Sequence, residues 1–248
     1  MSIPLKESLE IGNFDLISKD QIKKLENRDI TGDCTVLANP IFDEAFQNVL
    51  KKFKPSHKVA FLSLCTYSRP YNTSPKWKKY LEDIENVDFF VTSNGGFIPQ
   101  KYWNESLYLS YHAPATKSWA EKFSRDEAIK SGFISEKDLD PERFEGHPPI
   151  LTINETNNLY KNKLFDRILT FFRTFRYDYV FGDFVKSQRN FDPFISAMNI
   201  LKSEGSIKDF DYPREDIPYE ENGRNYPTLS EPYYNEMIEK INKIKEKI

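Results

Sequence analysis

The feature that most constrains this chain is "KVAFLSL", residues 58 to 64, an almost unbroken apolar run set between the turn residues "KPSH" and a helix start. A strand apolar on both faces cannot lie on a surface. It needs helices above and below, as central strands of parallel sheets have. The flanking sequence supplies them. Asn39 as N-cap and Pro40 at the first helical position open a stripe of Ile41, Phe42, Ala45, Phe46, Val49, Leu50 and Phe53. Ser74 and Pro75 cap a second helix, whose pattern buries Trp77, Tyr80, Leu81 and Ile84 and exposes Lys76, Lys78, Lys79, Glu82 and Asp83. "VDFFVTS" is the next strand, closed by Asn94, Gly95 and Gly96, and "LYLSY" (107 to 111) reads as another short one. Helical patterns follow at "KSWAEKFSRDEAIKSG" and "LYKNKLFDRILTFFRTF", the latter with Leu164, Phe165, Ile168, Leu169 and Phe172 inward. "YDYVFGDF" is then a strand ending at Gly182 and Asp183. Each alternation of strand and helix favours a right-handed parallel crossover, hence an α/β fold with a mainly parallel central sheet.

Residues 36–204 are expected to form one domain, with 1–35 as an N-terminal flank. Residues 205–248 are expected to form an extended arm and a C-terminal amphipathic helix striped by Met237, Ile238, Ile241, Ile244 and Ile248. With 20 Phe and 14 Tyr, much of the packing area comes from rings. A net charge of -3 is not that of a protein that coats nucleic acid nonspecifically. Two cysteines, Cys34 and Cys65, and three histidines offer neither a disulfide framework nor zinc-ligand spacing, so neither metal nor cofactor is expected. The start "MSIPLKESLEIG" lacks a secretory pattern and no apolar run reaches about 18 residues. The expected location is the cytoplasm, of a cell or of a host if the source is viral, with no membrane partner.

In an open α/β sheet, ligands bind outside the carboxyl ends of the strands. Three such ends carry reactive or binding groups: Cys65 with Arg69, Tyr71 and Ser74; Ser93 with Asn94, Gly95 and Gly96; and Asp183, with Lys186 beyond. Cys65 is either a nucleophile favoured by Arg69 and a helix N-terminus or a small hydrophobe finishing a buried strand. Ser74 is most simply an N-cap, and Asn-Gly-Gly is either ordinary turn chemistry or a backbone that lets a ligand approach. His112 is open between a base and a hydrogen-bonded ring.

Cys65-x3-Arg69-Pro70-Tyr71-x2-Ser74-x2-Trp77 resembles the pattern P-C-x3-K-P-Y-x2-S-x2-H of the archaeosine synthase family, enzymes of 7-deazaguanine modification. "NPIFDEAF", "VTSNGGFIPQKYW" and "YHAPATKSW" are similar to further family segments in the same order, the last through Tyr111, Pro114, Thr116 and Trp119. The likeness covers about residues 39 to 123, and extends more loosely to about 190. It implies a three-layer α/β/α sandwich similar to uracil-DNA glycosylase folds, in a divergent, stand-alone member. It also implies addition of an amine donor such as lysine, glutamine or ammonia to the nitrile of 7-cyano-7-deazaguanine. In that setting Cys65 is the nucleophile or a nitrile-pocket residue, Arg69 and Tyr71 orient base or donor, Ser74 hydrogen-bonds, and the Asn94 to Gly96 turn lies against the base. The chain departs from the pattern at Leu64 for proline, Arg69 for lysine, Trp77 for histidine, His112 for aspartate and Lys117 for glycine.

Three functions follow as expectations. The first is an enzyme of 7-deazaguanine hypermodification, adding an amine or water to the nitrile, with the base in DNA, RNA such as tRNA, or a nucleotide. The second is a module that binds a modified nucleobase, non-catalytic or glycosylase-like with Asp183 as its carboxylate. The third is a structural partner that uses the aromatic arm.

Overall fold

The computed structural model describes residues 2–30, 32–66, 68–111, 153–186, 188–213 and 233–246. His112 and the helix expected at 117–132 lie outside them. In chain order the elements are α1 (Leu5–Ile11), α2 (Lys19–Lys23), α3 (Asp33–Ala38), α4 (Pro40–Lys52), β1 (Val59–Leu64), α5 (Pro75–Asp83), β2 (Asp88–Ser93), β3 (Gly96–Pro99) and α6 (Ser106–Ser110). They continue with α7 (Ile153–Thr174), β4 (Tyr179–Asp183), α8 (Phe191–Ser203), β5 (Asp209–Asp211) and α9 (Tyr233–Lys245).

The protein is an α/β sandwich around a five-stranded sheet of order β3-β2-β1-β4-β5. The doubly apolar strand is central: β1 pairs parallel with β2 on one side and with β4 on the other, and only β3 runs antiparallel. Strand alternation splits its residues between two helical layers. On one face, Phe61 packs its ring 5.0 Å from Tyr80 of α5, and Tyr80 in turn stacks on Tyr234 of α9. On the other face, Phe90 meets Phe53 after α4 and Phe171 and Phe172 of α7, while α8 presses Phe194 onto Gly182. The expected amphipathic C-terminal helix thus packs on its own domain, burying Met237, Ile241 and Ile244.

Several elements differ from the sequence reading. Residues 107 to 111 are not a strand, since Ser106–Ser110 forms α6 with every residue buried. A five-residue apolar run carries no usable period, and here the backbone is satisfied locally: Leu109 N–H donates to the Glu105 carbonyl, and the Ser110 hydroxyl to that of Ser106. Beyond residue 204, β5 extends the sheet edge through three half-buried residues too few to show alternation. The N-terminal flank joins the same core through Leu16, Ile17, Ile22 and Ile30. Glu105 fastens it there by accepting the Asp15 and Leu16 amides.

Gly182 is required by close approach rather than by backbone torsion, because a Cβ there would meet the Phe194 ring at 2.5 Å. Gly182→Ala is expected to lower unfolding free energy by about 1–3 kcal/mol through overpacking. A urea titration of the two proteins measures it.

Candidate active site

The parallel register brings the carboxyl ends of β1, β2 and β4 to one edge of the sheet. Ser63 stands opposite both Val91 and Asp183, and the Cys65 amide donates to the Thr92 carbonyl at 3.1 Å. Cys65, Ser93 and Asp183 are therefore at one end of the molecule, as the three predicted strand tips require. Cys65 is a free, half-buried thiol. The loop after it carries Arg69 and Tyr71, and Lys76 of α5 reaches the Leu64 carbonyl, in the peptide group just before Cys65, at 3.4 Å.

At the Ser93 end of β2 lies a cluster of phenols. The hydroxyls of Tyr71 and Tyr111 are 2.5 Å apart, and Tyr111 donates to Ser93 Oγ at 2.7 Å. Burial raises both phenol pKa values, against the opposing pull of the Arg69 cation, so both stay protonated at neutral pH. Arg69 sits 4.2 Å over the Tyr71 ring and 4.8 Å over that of Tyr111. Its guanidinium donates to the carbonyls of Thr66, Ser68 and Tyr108. These contacts make it the clamp that shapes the loop and orients both tyrosines. Ser74 Oγ accepts the Trp77 amide and is buried, which makes it the N-cap of α5. Trp77 is a core residue, its ring 4.7 Å from Trp103.

The Asn-Gly-Gly turn is filled by the protein itself. A Cβ on Gly95 would meet the Tyr111 ring at 3.0 Å, while Gly96 adopts a φ of 136° that favours glycine. Asn94 Oδ1 accepts from Arg189, whose guanidinium lies 3.8 Å over the Tyr160 ring.

Asp183 is enclosed beneath the site. Its Oδ2 accepts from Ser63 at 2.5 Å and from Tyr80 at 2.6 Å, and lies 3.4 Å from Lys76 Nζ. The sequence reading placed Lys76 among the exposed residues of α5, but its side chain is 2% exposed. The signal lay in the spacing: Lys76 is four residues before the inward Tyr80, hence on the same helix face. Burial lowers the Lys76 pKa, and Asp183 opposes that shift. Sequence reasoning also missed Ser63, Tyr160, Arg189 and Asn190, and had Tyr80 only as a core residue and Tyr111 only as part of the family likeness. The Asn190 amide donates to Thr92 and Tyr160 on the opposite face of the sheet.

Among the described residues no group of His, Cys, Asp and Glu could hold a metal ion, and no helix is long and apolar enough to cross a membrane. A groove of about 500 Å³ opens at the other end of β2, lined by Phe53, His57, Asp88, Lys101 and Trp103; none of the predicted site residues lines it.

No protein-family model matches the chain, and no curated protein matches it. Among solved structures it is similar to the crystal structure of AF0587, a protein of unknown function, with 14% identity and a TM-score of 0.42. The match covers 80% of this chain and 48% of that one, so the chain spans about half the length of this neighbour.

Two outcomes test the site's construction. Removing one charge of the enclosed pair, by Lys76→Met or Asp183→Asn, is expected to cost about 3–5 kcal/mol, whereas the combined replacement costs less than either alone. Chemical denaturation of the three variants closes that cycle. The second concerns alkali. The phenol pKa values of Tyr71, Tyr111 and Tyr160 are raised by burial, so the unfolded chain loses these protons first. Their contribution to stability is complete below about pH 10 and declines as pH rises beyond it. Tyrosinate absorbance should then show a late fraction that ionises together with the loss of ellipticity.

Proposed function

We propose that the chain is a cytoplasmic enzyme of 7-deazaguanine hypermodification, adding an amine donor to the nitrile of 7-cyano-7-deazaguanine. The observation that carries the reading is Cys65: a free, half-buried thiol at the tip of the central strand, followed by a loop in which Arg69 is clamped over the Tyr71 and Tyr111 rings. It stands within the segment that resembles the archaeosine synthase motif. In an α/β sheet this end of the strands is where ligands bind.

The chemistry suits those groups. The nitrile carbon is electrophilic, and attack by the Cys65 sulfur forms a C–S bond while the nitrile nitrogen takes a proton, giving a thioimidate. Tyr71 and Tyr111 are hydroxyl donors of the kind that step needs. The donor nitrogen, ammonia or an amine such as lysine or glutamine, then bonds to the same carbon and loses a proton. The C–S bond breaks, and an amidine leaves with the thiol restored. Water in place of the amine leads to an amide. No metal or redox partner is needed for the atoms and electrons to balance. The base would be carried in DNA, tRNA or a nucleotide.

The glycosylase-like reading asks Asp183 to activate water. Asp183 is enclosed and its Oδ2 is engaged by Ser63, Tyr80 and Lys76, which favours the thiol as the reacting group.

The test combines the protein with 7-cyano-7-deazaguanine, free, in duplex DNA and in tRNA, together with ammonia, glutamine or lysine, and reads the base by mass spectrometry. A mass gain equal to the donor is expected, reduced about 100-fold or more by Cys65→Ala. Equal product from Cys65→Ala would overturn the nucleophile. Binding of the base without any product would replace the enzyme by a module that recognises the modified base.

A further inference from the structure

Lys76 is placed for a purpose that stability does not explain. Its ammonium lies 3.4 Å from the Leu64 carbonyl, the peptide group that leads directly into Cys65, and 3.4 Å from Asp183. The rings of Trp77 and Tyr80 lie 5.8 and 5.7 Å from it. A buried ion pair is weak support for a fold, since apolar residues of similar volume do as well or better. What it adds is a positive charge held at the peptide group that leads into the half-buried Cys65.

We infer that Lys76 is a positioning residue of the Cys65 site, its ammonium fixed by Asp183 so as to stabilise negative charge on the Cys65 sulfur. This rests on reading Cys65 as the reacting thiol. The charge acts twice in the chemistry above. It favours the sulfur as the anion that attacks, and it favours the same anion when the C–S bond breaks. Asp183 is the necessary second half. Without it, burial drives Lys76 toward the neutral amine, which has no charge to offer.

Other ionisable groups lie at this end of the sheet as well. Tyr71, Tyr111 and Tyr160 are neutral phenols at the working pH, so they contribute hydrogen bonds rather than charge. Arg69 is the second cation, but its guanidinium is committed to three carbonyls and two ring faces. The effect of Lys76 is therefore partial, and removing it should leave the Arg69 contribution in place.

The test needs no nitrile substrate. In the full chain carrying Cys34→Ser, Cys65 is alkylated by iodoacetate, an anion, and by iodoacetamide, which is neutral. Lys76→Met is expected to slow both about tenfold and to lower the iodoacetate-to-iodoacetamide rate ratio, with recovery in Lys76→Arg. The paired Lys76→Met, Asp183→Asn variant keeps the core free of an isolated charge and should show the same direction of change, smaller than in Lys76→Met, where the Asp183 carboxylate is left unpaired. Unchanged rates and ratio in the paired variant would overturn the inference, as would faster reaction with both reagents, the mark of simple loosening. A lowered ratio in a protein that turns over no nitrile would keep the role of Lys76 and discard the proposed substrate.

Discussion

The architecture depends on the burial of β1 from both sides. Val59, Ala60, Phe61 and Leu62 are all enclosed, so the strand must be central and covered by helices on each face. Burying such side chains is worth about 1.5–3 kcal/mol each for the larger ones, enough to make a surface position untenable. Once β1 is central, its parallel neighbours β2 and β4 end at the same edge, and the residues that follow them converge. The collection of Cys65, Ser93 and Asp183 is thus a consequence of packing before it is a matter of chemistry. The antiparallel β3 then returns the chain from that edge through the Asn94–Gly96 turn.

Within that edge, two kinds of electrostatics are kept apart. Over the loop, Arg69 spreads its charge across carbonyl dipoles and the faces of Tyr71 and Tyr111, an arrangement in which a cation needs no carboxylate. Beneath it, Lys76 and Asp183 form a compact pair in a dry setting, where attraction is strong and desolvation costs nearly cancel it. The first device shapes a surface; the second sets a local field. Neither would be chosen for stability alone. Together they account for polar groups in a core otherwise built from stacked and edge-on rings.

How much of this was legible in the sequence follows from which signals are local. The caps of α4 and α5 at Asn39 and Ser74 were, because each is one side chain accepting one nearby amide. The central strand, the parallel alternation and the C-terminal helix were legible from period and composition. Three things were not. α6 is too short and too apolar to show a period; β5 is three residues long; and the burial of Lys76 is decided by Asp183, 107 positions downstream. A charged residue reads as exposed unless its partner is known, and long-range pairing is what periodicity does not carry. The roles of Arg69 and Gly95 were similarly obscured, since the carbonyl of Tyr108 and the ring of Tyr111 meet them only in the folded chain.

The dependence on distant parts of the chain extends to the last helix described. Tyr80 is the hinge of that connection: its hydroxyl donates to Asp183, one side of its ring meets Phe61 of β1, and Tyr234 of α9 stacks parallel to it at 6.2 Å. Tyr234 is in turn fixed by donating to Asp83 at 2.6 Å and by the Lys79 ammonium 4.1 Å over its ring. A buried ring packed against Phe61, Trp77 and Tyr234 has little freedom to turn its hydroxyl away from the carboxylate, and the carboxylate holds Lys76. The orientation of the charge behind Cys65 is therefore set in part by a helix that begins more than 160 residues later, at Tyr233. The C-terminal helix belongs to the scaffold of the site as much as β1 does.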